Sequence, residues 1–224
     1  MSRHFDLEIT ELKEKLLTMS SHAETAVRRA IKALVDRDDD LARSVKEDDV
    51  LLDQLEIEID EMAILLLSKA PLATDLRLIT VAMKISQNLE RVGDEATTIS
   101  RRSIELSQEP QLKPYVDIPR MAGMALEMLK TALDAFVNRE PEKARAVIPR
   151  DKEVDAVNKQ LHRELSSYMV EKPTTISRCL NLMVISKSLE RIADHATNVA
   201  EEVVYLYEAR DIRHTGKASS SGIQ

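Results

Sequence analysis

Aromatic residues and glycine are scarce in this chain, and tryptophan is absent. Aromatic side chains make up 3% of the 224 residues, and only four glycines occur. Sandwiches and barrels need frequent turns and strand-forming residues, whereas long helices are built mainly from Leu, Ala, Glu, Lys and Arg. Because 43% of the residues are hydrophobic and 32% are charged, the composition predicts an all-α protein with enough apolar side chains for a core.

The chain also lacks an excess of positive charge, a disulfide framework and a long apolar run. Its net charge of −7 argues against nucleic-acid binding, which depends on Lys and Arg contacts to phosphates. The single Cys179 lies in an apolar segment and is expected to be a small buried residue in a reducing compartment. The N-terminus has no signal-peptide core, and the longest apolar run, MAILLL at 62–67, is shorter than the ~20 residues of a spanning helix. We therefore expect a soluble, cytoplasmic protein that meets a membrane only through partners.

Apolar residues recur at helical spacing along almost the whole chain. This periodicity predicts six helices, at about 5–36, 38–68, 74–107, 119–138, 141–171 and 176–211. Asp38 to Asp40 would open the second helix, and Pro141 the fifth. Prolines mark a linker at about 108–118, and the polar tail 213–224 is expected to be disordered.

Residues 85–97 and 185–197 are near copies of each other. The two segments, ISQNLERVGDEAT and ISKSLERIADHAT, are identical at eight of thirteen positions. Further similarities, such as 30–38 with 132–140, occur at an offset of 102 residues. Short turns between helices favour antiparallel neighbours. The sequence therefore predicts two tandem antiparallel three-helix bundles, at 1–109 and 110–212.

Each predicted bundle carries two acidic pairs at a spacing of four residues, which places both acids of a pair on one helix face. In an antiparallel hairpin, residues equidistant from the turn lie at the same level. With the turns near 71–72 and 172–173, each acid of one helix is level with an acid of the other. The predicted pairs are Asp49 with Asp94, Asp53 with Glu90, Asp151 with Asp194, and Asp155 with Glu190.

Four carboxylates at one level repel one another unless a cation neutralises them. Oxygen ligands suit hard ions such as Mn²⁺, Mg²⁺, Ca²⁺ or iron, whereas structural zinc prefers Cys and His. We therefore predict metal binding by these eight acids, against the alternative that they are solvated residues on helix faces. Nearby residues are not assigned to the site. His195 is expected at the surface, and Arg91 and Arg191 in structural roles. His22 and Glu24 are left out because their equivalents in the second half, Met124 and Leu126, could not contribute ligands.

No nucleophile, base and orienting acid can be assembled from the sequence, so no enzymatic activity is expected. Two alternatives stay open. One is a carboxylate-bridged metal enzyme or a metal-storage bundle, since carboxylate-bound metals can activate water. The other is a helical scaffold in which the acids have no metal-binding role.

The segments PLATDLRLITVAMKISQNLERVGDEATTI and CLNLMVISKSLERIADHATNVAEEVVY resemble the PhoU family of phosphate-transport accessory proteins, and the resemblance covers about 5–210. The second half departs from the pattern at its turn, where KPTTISR stands in place of APLATDLR. The resemblance implies two tandem three-helix bundles whose acidic motifs hold multinuclear metal clusters of Mn, Mg or Fe. The ligands carried over would be Asp49, Asp53, Glu90, Asp94, Asp151, Asp155, Glu190 and Asp194.

The resemblance also implies a function and partners. A family member would be a cytoplasmic homodimer that acts between the ATPase subunit of a phosphate ABC transporter and the sensor histidine kinase of the phosphate regulon. It would restrain the phosphate-starvation response when phosphate is plentiful.

Overall fold

The computed structural model describes residues 2–69 and 72–212, and all regular structure within them is helical. This confirms the all-α prediction. The first fold-back (70–71) and the tail predicted to be disordered (213–224) lie outside the described residues. The helices are α1 (Ser2–Asp36), α2 (Asp39–Asp48), α3 (Val50–Leu67), α4 (Ala73–Ser107), α5 (Asp117–Asn138), α6 (Pro141–Val147), α7 (Asp151–Glu171) and α8 (Ile176–Glu208), with short 3₁₀ turns at Ile148–Arg150 and Pro173–Thr175.

The second and fifth predicted helices, at 38–68 and 141–171, are each divided by a short break into two α-helical segments. Both breaks fall immediately before or at the first acid of a pair, Asp49 or Asp151. In the second half, Pro149 lacks a backbone N–H and its ring crowds the preceding turn, which accounts for the 3₁₀ segment there. Asp49 keeps helical angles (φ −60°, ψ −33°), and nothing in the local sequence explains its break.

The helix ends use the expected capping chemistry. Oδ1 of Asp38 accepts a hydrogen bond from the Leu41 N–H (2.9 Å) and so opens α2. Pro141 stands in the first turn of α6. Arg37 and Arg139, which are equivalent in the repeat, both take left-handed angles (φ 57° and 60°) at the ends of α1 and α5. The same backbone geometry therefore ends the first helix of each half.

Each half runs up, down and up. In the first half (α1–α4), α1 is antiparallel to α3, because Lys69 pairs with Glu8 and Lys15 with Glu58. The guanidinium of Arg37 donates to the carbonyl of Ser107 at the end of α4 (2.6 Å), so α1 and α4 are parallel. The second half (α5–α8) repeats this plan.

The two motif-bearing helices, α4 and α8, make the most extensive helix contact and are antiparallel. Lys84 lies against Glu202 (3.0 Å), and further along, Glu95 lies against Arg191 (3.2 Å). Buried side chains of both halves form one continuous core. The boundary between units at 109–110 therefore stays a prediction.

Gly93 allows α3 to approach α4 closely beside the first acidic cluster. A Cβ at this position would lie 2.4 Å from Cδ1 of Leu52 and 2.9 Å from Oδ1 of Asp49. The second half has Ala193 and Val154 at the equivalent positions, and both are fully buried. In the second half, the larger Ala193 on α8 is thus matched by the smaller Val154 on α7.

We expect Gly93→Ala to destabilise the protein. Overpacking against Leu52 costs about 1–3 kcal/mol and outweighs the gain of about 1 kcal/mol from replacing a helical glycine by alanine. Gly123→Ala in α5 is the control, because its added Cβ would meet no atom within 4 Å. Urea denaturation should show Gly123→Ala stabilised and Gly93→Ala destabilised; equal stabilisation of both would contradict the close approach.

The internal repeat suggests a second substitution that should relieve the clash in Gly93→Ala. In the Gly93→Ala background, Leu52→Val recreates the Ala193 and Val154 pair of the second half. A double-mutant cycle should give a coupling of about 1 kcal/mol or more, because the two residues touch. Additive effects would show that the clash is relieved elsewhere.

Candidate functional site

The first cluster consists of Asp49, Asp53, Glu90 and Asp94. Asp49 directly precedes α3, Asp53 lies in its first turn, and Glu90 and Asp94 lie in the middle of α4. Asp49 and Glu90 are half-buried, whereas Asp53 and Asp94 are exposed. The acids therefore follow the edge of the groove between the two helices, outside the apolar core.

The charges of the α3 acids and the α4 acids influence one another. Burial, followed by the charges of Asp53 and Asp94, raises the pKa of Asp49 to about 6. Burial also raises the pKa of Glu90 to about 7, with Asp94, Glu56 and Asp53 adding to the effect. Acids on α3 thus act on acids of α4, and the structure brings together the residues that the sequence placed at one level.

The second cluster, Asp151, Asp155, Glu190 and Asp194, is assembled in the same way. Burial and then the charges of Asp151 and Glu190 raise the pKa of Asp194 to about 6. Burial, Asp155 and Glu190 also raise the pKa of Asp151, while a hydrogen bond with Asp194 opposes the rise. Such a bond needs a proton on one carboxyl. When both are ionised, the buried Oδ1 of Asp151 has no hydrogen-bond donor among the described residues.

The chemistry of these donors suits a hard cation, but their present arrangement is not a finished coordination shell. Each cluster supplies only carboxylate oxygens, the ligands preferred by Mg²⁺, Mn²⁺ and iron. Across residues 2–69 and 72–212, no group of three or more His, Cys, Asp or Glu side chains is arranged to hold a metal ion. The role of the eight acids as metal ligands therefore stays a prediction.

Comparison with known proteins identifies the family. The model of the PhoU domain matches twice, at residues 16–103 and 118–203. The chain belongs to the PhoU family. Each matched segment contains one complete four-acid cluster.

Relatives of this PhoU-family chain match it over nearly their full length. A protein of Pseudomonas aeruginosa named phosphate-specific transport system accessory protein PhoU homolog is 41% identical over 218 residues, which cover 96% of this chain and 90% of that one. A Thermotoga maritima protein with the same name and the number 2 is 36% identical, covering 93% and 89%. These names describe accessory proteins rather than enzymes.

Two crystal structures of PhoU proteins share the fold. The Pseudomonas aeruginosa structure has a TM-score of 0.89 at 40% identity, covering 92% of this chain and 100% of that one. A phosphate transport system regulatory protein PhoU from Streptococcus pneumoniae has a TM-score of 0.87 at 28% identity, covering 93% and 99%. In the part of this chain that the structure describes, no helix is long and apolar enough to cross a membrane.

The two clusters of this PhoU-family chain differ in charge. Near the first cluster, Glu56 has a pKa that burial and the charges of Asp60 and Asp53 raise. Its equivalent in the second half is the neutral Asn158. The second cluster instead contains an ion pair between Lys187 and Glu190, and Gln87 stands at the position of Lys187 in the first half.

The sequence interpretation missed Glu56 and Lys187. Glu56 follows Asp53 by three residues and Lys187 precedes Glu190 by three, and both are spacings that place side chains on one helix face. The signal was therefore present, but the i, i+4 pairs were considered alone. The first cluster therefore carries more negative charge than the second.

The structure also places His195 and Arg191, which were not assigned to the metal site. His195, expected at the surface, is half-buried between the halves, which was a wrong prediction. Its Nδ1 lies 3.0 Å from Oδ1 of Asn88, and burial, followed by the charge of Arg91, lowers its pKa. Arg191 has the structural role expected of it, in an ion pair with Glu95 across the α4–α8 contact.

The structure also places His22 and Glu24 of α1. His22 lines a groove that reaches Asp49, so it lies near the first cluster. Glu24 instead pairs with Arg28 along α1 (2.6 Å). Cys179 is buried, as predicted.

The raised pKa of Glu90 predicts how stability depends on pH. A carboxyl that holds its proton more tightly in the folded state contributes stability that is complete below its unfolded pKa, 4.5, and is lost as pH rises through its folded pKa, about 7. We expect the free energy of unfolding to fall between pH 5 and pH 8. Glu90→Gln should flatten this dependence and stabilise the protein at pH 8 by on the order of 1 kcal/mol, after allowance for solvent screening.

Urea titrations at several pH values, in the presence of a chelator, measure this effect. Glu61→Gln is the matched control, because Glu61 is an exposed acid of α3 with the same change in charge. A Glu90→Gln profile that superimposes on the Glu61→Gln profile would show that the pKa of Glu90 is not raised in the folded protein.

Proposed function

We propose that this PhoU-family chain is a metal-binding accessory regulator of a phosphate-specific transport system. In this role it is a cytoplasmic adaptor between the ATPase subunit of a phosphate ABC transporter and the sensor histidine kinase of the phosphate regulon. It restrains phosphate uptake and the phosphate-starvation response. The observation that carries the proposal is the PhoU domain matched twice, with one four-acid cluster in each copy.

The energetics of the clusters support a metal-binding role. Like charges one helical turn apart destabilise a helix, and here two such pairs also face each other across a hairpin. Burial raises the pKa of Asp49, Glu90 and Asp194 to about 6, 7 and 6. Ionising these groups is less favourable than ionising ordinary carboxyls, and a hard cation would relieve the repulsion. Mn²⁺, Mg²⁺ and iron are the ions that we propose for the eight acids.

The outer face of α3 supports a role in protein contacts. Val50, Ile57 and Ile64 recur every seven residues and are 59–64% exposed. Seven-residue spacing aligns side chains along one helix face, and contiguous exposed apolar surface is typical of protein–protein contacts. A homodimer or a complex with a transporter or a kinase would use surface of this kind.

Metal binding should depend on both halves but more strongly on the first. We expect Mn²⁺ or Mg²⁺ to raise the melting temperature of the wild type. Asp94→Ala should remove most of this shift, Asp194→Ala a smaller part, and the double variant all of it, because Lys187 already offsets charge in the second cluster. Thermal-shift and calorimetric titrations measure these effects, with Glu61→Gln as the control.

Cation binding should also release protons, because ligands must be deprotonated. At pH 6.5 the number of protons released, obtained by calorimetry in two buffers, should fall in Glu90→Gln. A wild type that carries no metal by elemental analysis and shows no shift with Mn²⁺ or Mg²⁺ would refute the metal-binding role. Fe²⁺ oxidation or phosphatase turnover that Glu90→Ala abolishes would favour a metal enzyme instead.

The adaptor role is tested in phosphate-replete cells. Tagged protein should co-purify with a transporter ATPase subunit or with a sensor histidine kinase. Glu61→Gln should behave as the wild type, whereas the Asp94→Ala plus Asp194→Ala variant tests whether metal is needed. Absence of both partners from the wild-type eluate would count against the adaptor role, whatever the metal content.

A further inference from the structure

A basic groove lies between α2 and the second half of α4. Its volume is about 580 Å³, within the range of small-molecule sites. Arg43 and Lys46 line it from α2, and Arg101 lines it from α4. We call these residues, with the hydroxyls described next, the basic groove.

Hydroxyl groups line the α4 wall of the basic groove. Thr97, Thr98 and Ser100 all contribute to it. Ser100 is 1% exposed, and its Oγ has no hydrogen-bond partner within the described residues. By contrast, Oγ of Ser103 donates to the carbonyl of Ile99 (2.9 Å). A buried hydroxyl without a partner is unfavourable, so the Ser100 hydroxyl is a donor left over for a ligand that enters the groove.

The charge of the groove is opposite to that of the protein. The chain has a net charge of −7, yet three cations meet here against one lining carboxylate, Glu47. Within the described ranges, Lys46 and Arg101 make no ion pair. Arg43 pairs with Asp40, whose side chain is 95% exposed, and such exposed pairs are weak. The positive charge is therefore available to an anion.

The internal repeat shows that the bundle does not require these residues. The second half has Ala200 in place of Ser100, Glu201 in place of Arg101, and Ile148 in place of Lys46. Arg145, the equivalent of Arg43, pairs with Glu208 (2.6 Å). The same fold thus forms without a basic groove, and the donors in the first half are an addition to it.

We propose that the basic groove binds a phosphate group, as free orthophosphate or as a small phosphomonoester. Guanidinium, ammonium and hydroxyl donors on two walls match the oxygens of a tetrahedral anion. No aromatic residue lines the groove, so it offers no stacking surface for a nucleotide base. The proposal does not depend on metal binding by the acidic clusters.

Orthophosphate binding to the full chain is measured by calorimetry and by ³¹P line broadening at low ionic strength, with chelator present. Arg101→Gln should weaken binding at least about tenfold, as expected for loss of a charge-assisted contact. Arg120→Gln is the matched control, because it removes the same charge from an exposed arginine of α5 and should leave binding unchanged. Equal weakening in both variants would reduce the effect to net charge and overturn the site.

A second variant keeps the test independent of folding. Ser100→Ala with Arg101→Glu writes the residues of the second half into the first, where Ala200 and Glu201 are compatible with the bundle. This variant should retain the wild-type circular dichroism and Mn²⁺ shift but lose phosphate binding. Glycerol phosphate is titrated in parallel. Whichever of glycerol phosphate and orthophosphate binds more tightly shows whether the groove prefers a phosphomonoester or the free ion. Failure of the wild type to bind either ligand, or undiminished binding by this variant, would overturn the proposal without affecting the metal-binding proposal.

Discussion

The antiparallel packing of α4 against α8 is the contact on which both halves depend. Each helix buries one face in its own three-helix half and another against its counterpart, so a single core runs through the molecule. Ion pairs at the rim, Lys84 with Glu202 and Glu95 with Arg191, accompany this packing. Because Glu90, Asp94, Glu190 and Asp194 are carried by these two helices, the core holds their backbones in place. The acids therefore cannot relieve their repulsion by backbone movement, which is why burial and like charge raise several of their pKa values.

The two halves preserve the same backbone plan but divide their chemistry unequally. Gly93 with Leu52 in one half, and Ala193 with Val154 in the other, fill the same interface with different side chains. Glu56 adds negative charge near the first cluster, whereas Lys187 offsets it at the second. Among the described residues, the second half has no counterpart of the basic groove, because Ala200, Glu201 and Ile148 replace Ser100, Arg101 and Lys46. Duplication thus supplied one scaffold twice, and substitutions at equivalent positions made its sites different.

Much of the architecture could be predicted from the sequence, since helical periodicity, capping residues and the internal repeat are local signals. The ends of the six predicted helical segments were close to those observed. The breaks at Asp49 and in Ile148–Arg150 were not predicted. In the second case Pro149 was a readable signal, because it removes a donor from the helix. At Asp49 the angles stay helical, and nothing in the local sequence signals the break. The position of His195 was mispredicted because its partner Asn88 lies in the other half of the chain, and no local pattern reports such a contact.

Patterns along the chain were sufficient for the helices, the repeat, the family and the level of each acid, because a spacing of four residues and the distance to a turn are properties of one hairpin. They could not show that the acids face each other, since a helix can rotate about its axis without changing the level of its residues. That rotation is set by side-chain volumes in the core, including the close approach at Gly93. The same packing brings Ser100 and Arg101 of α4 beside Arg43 and Lys46 of α2, an arrangement that no single helix encodes.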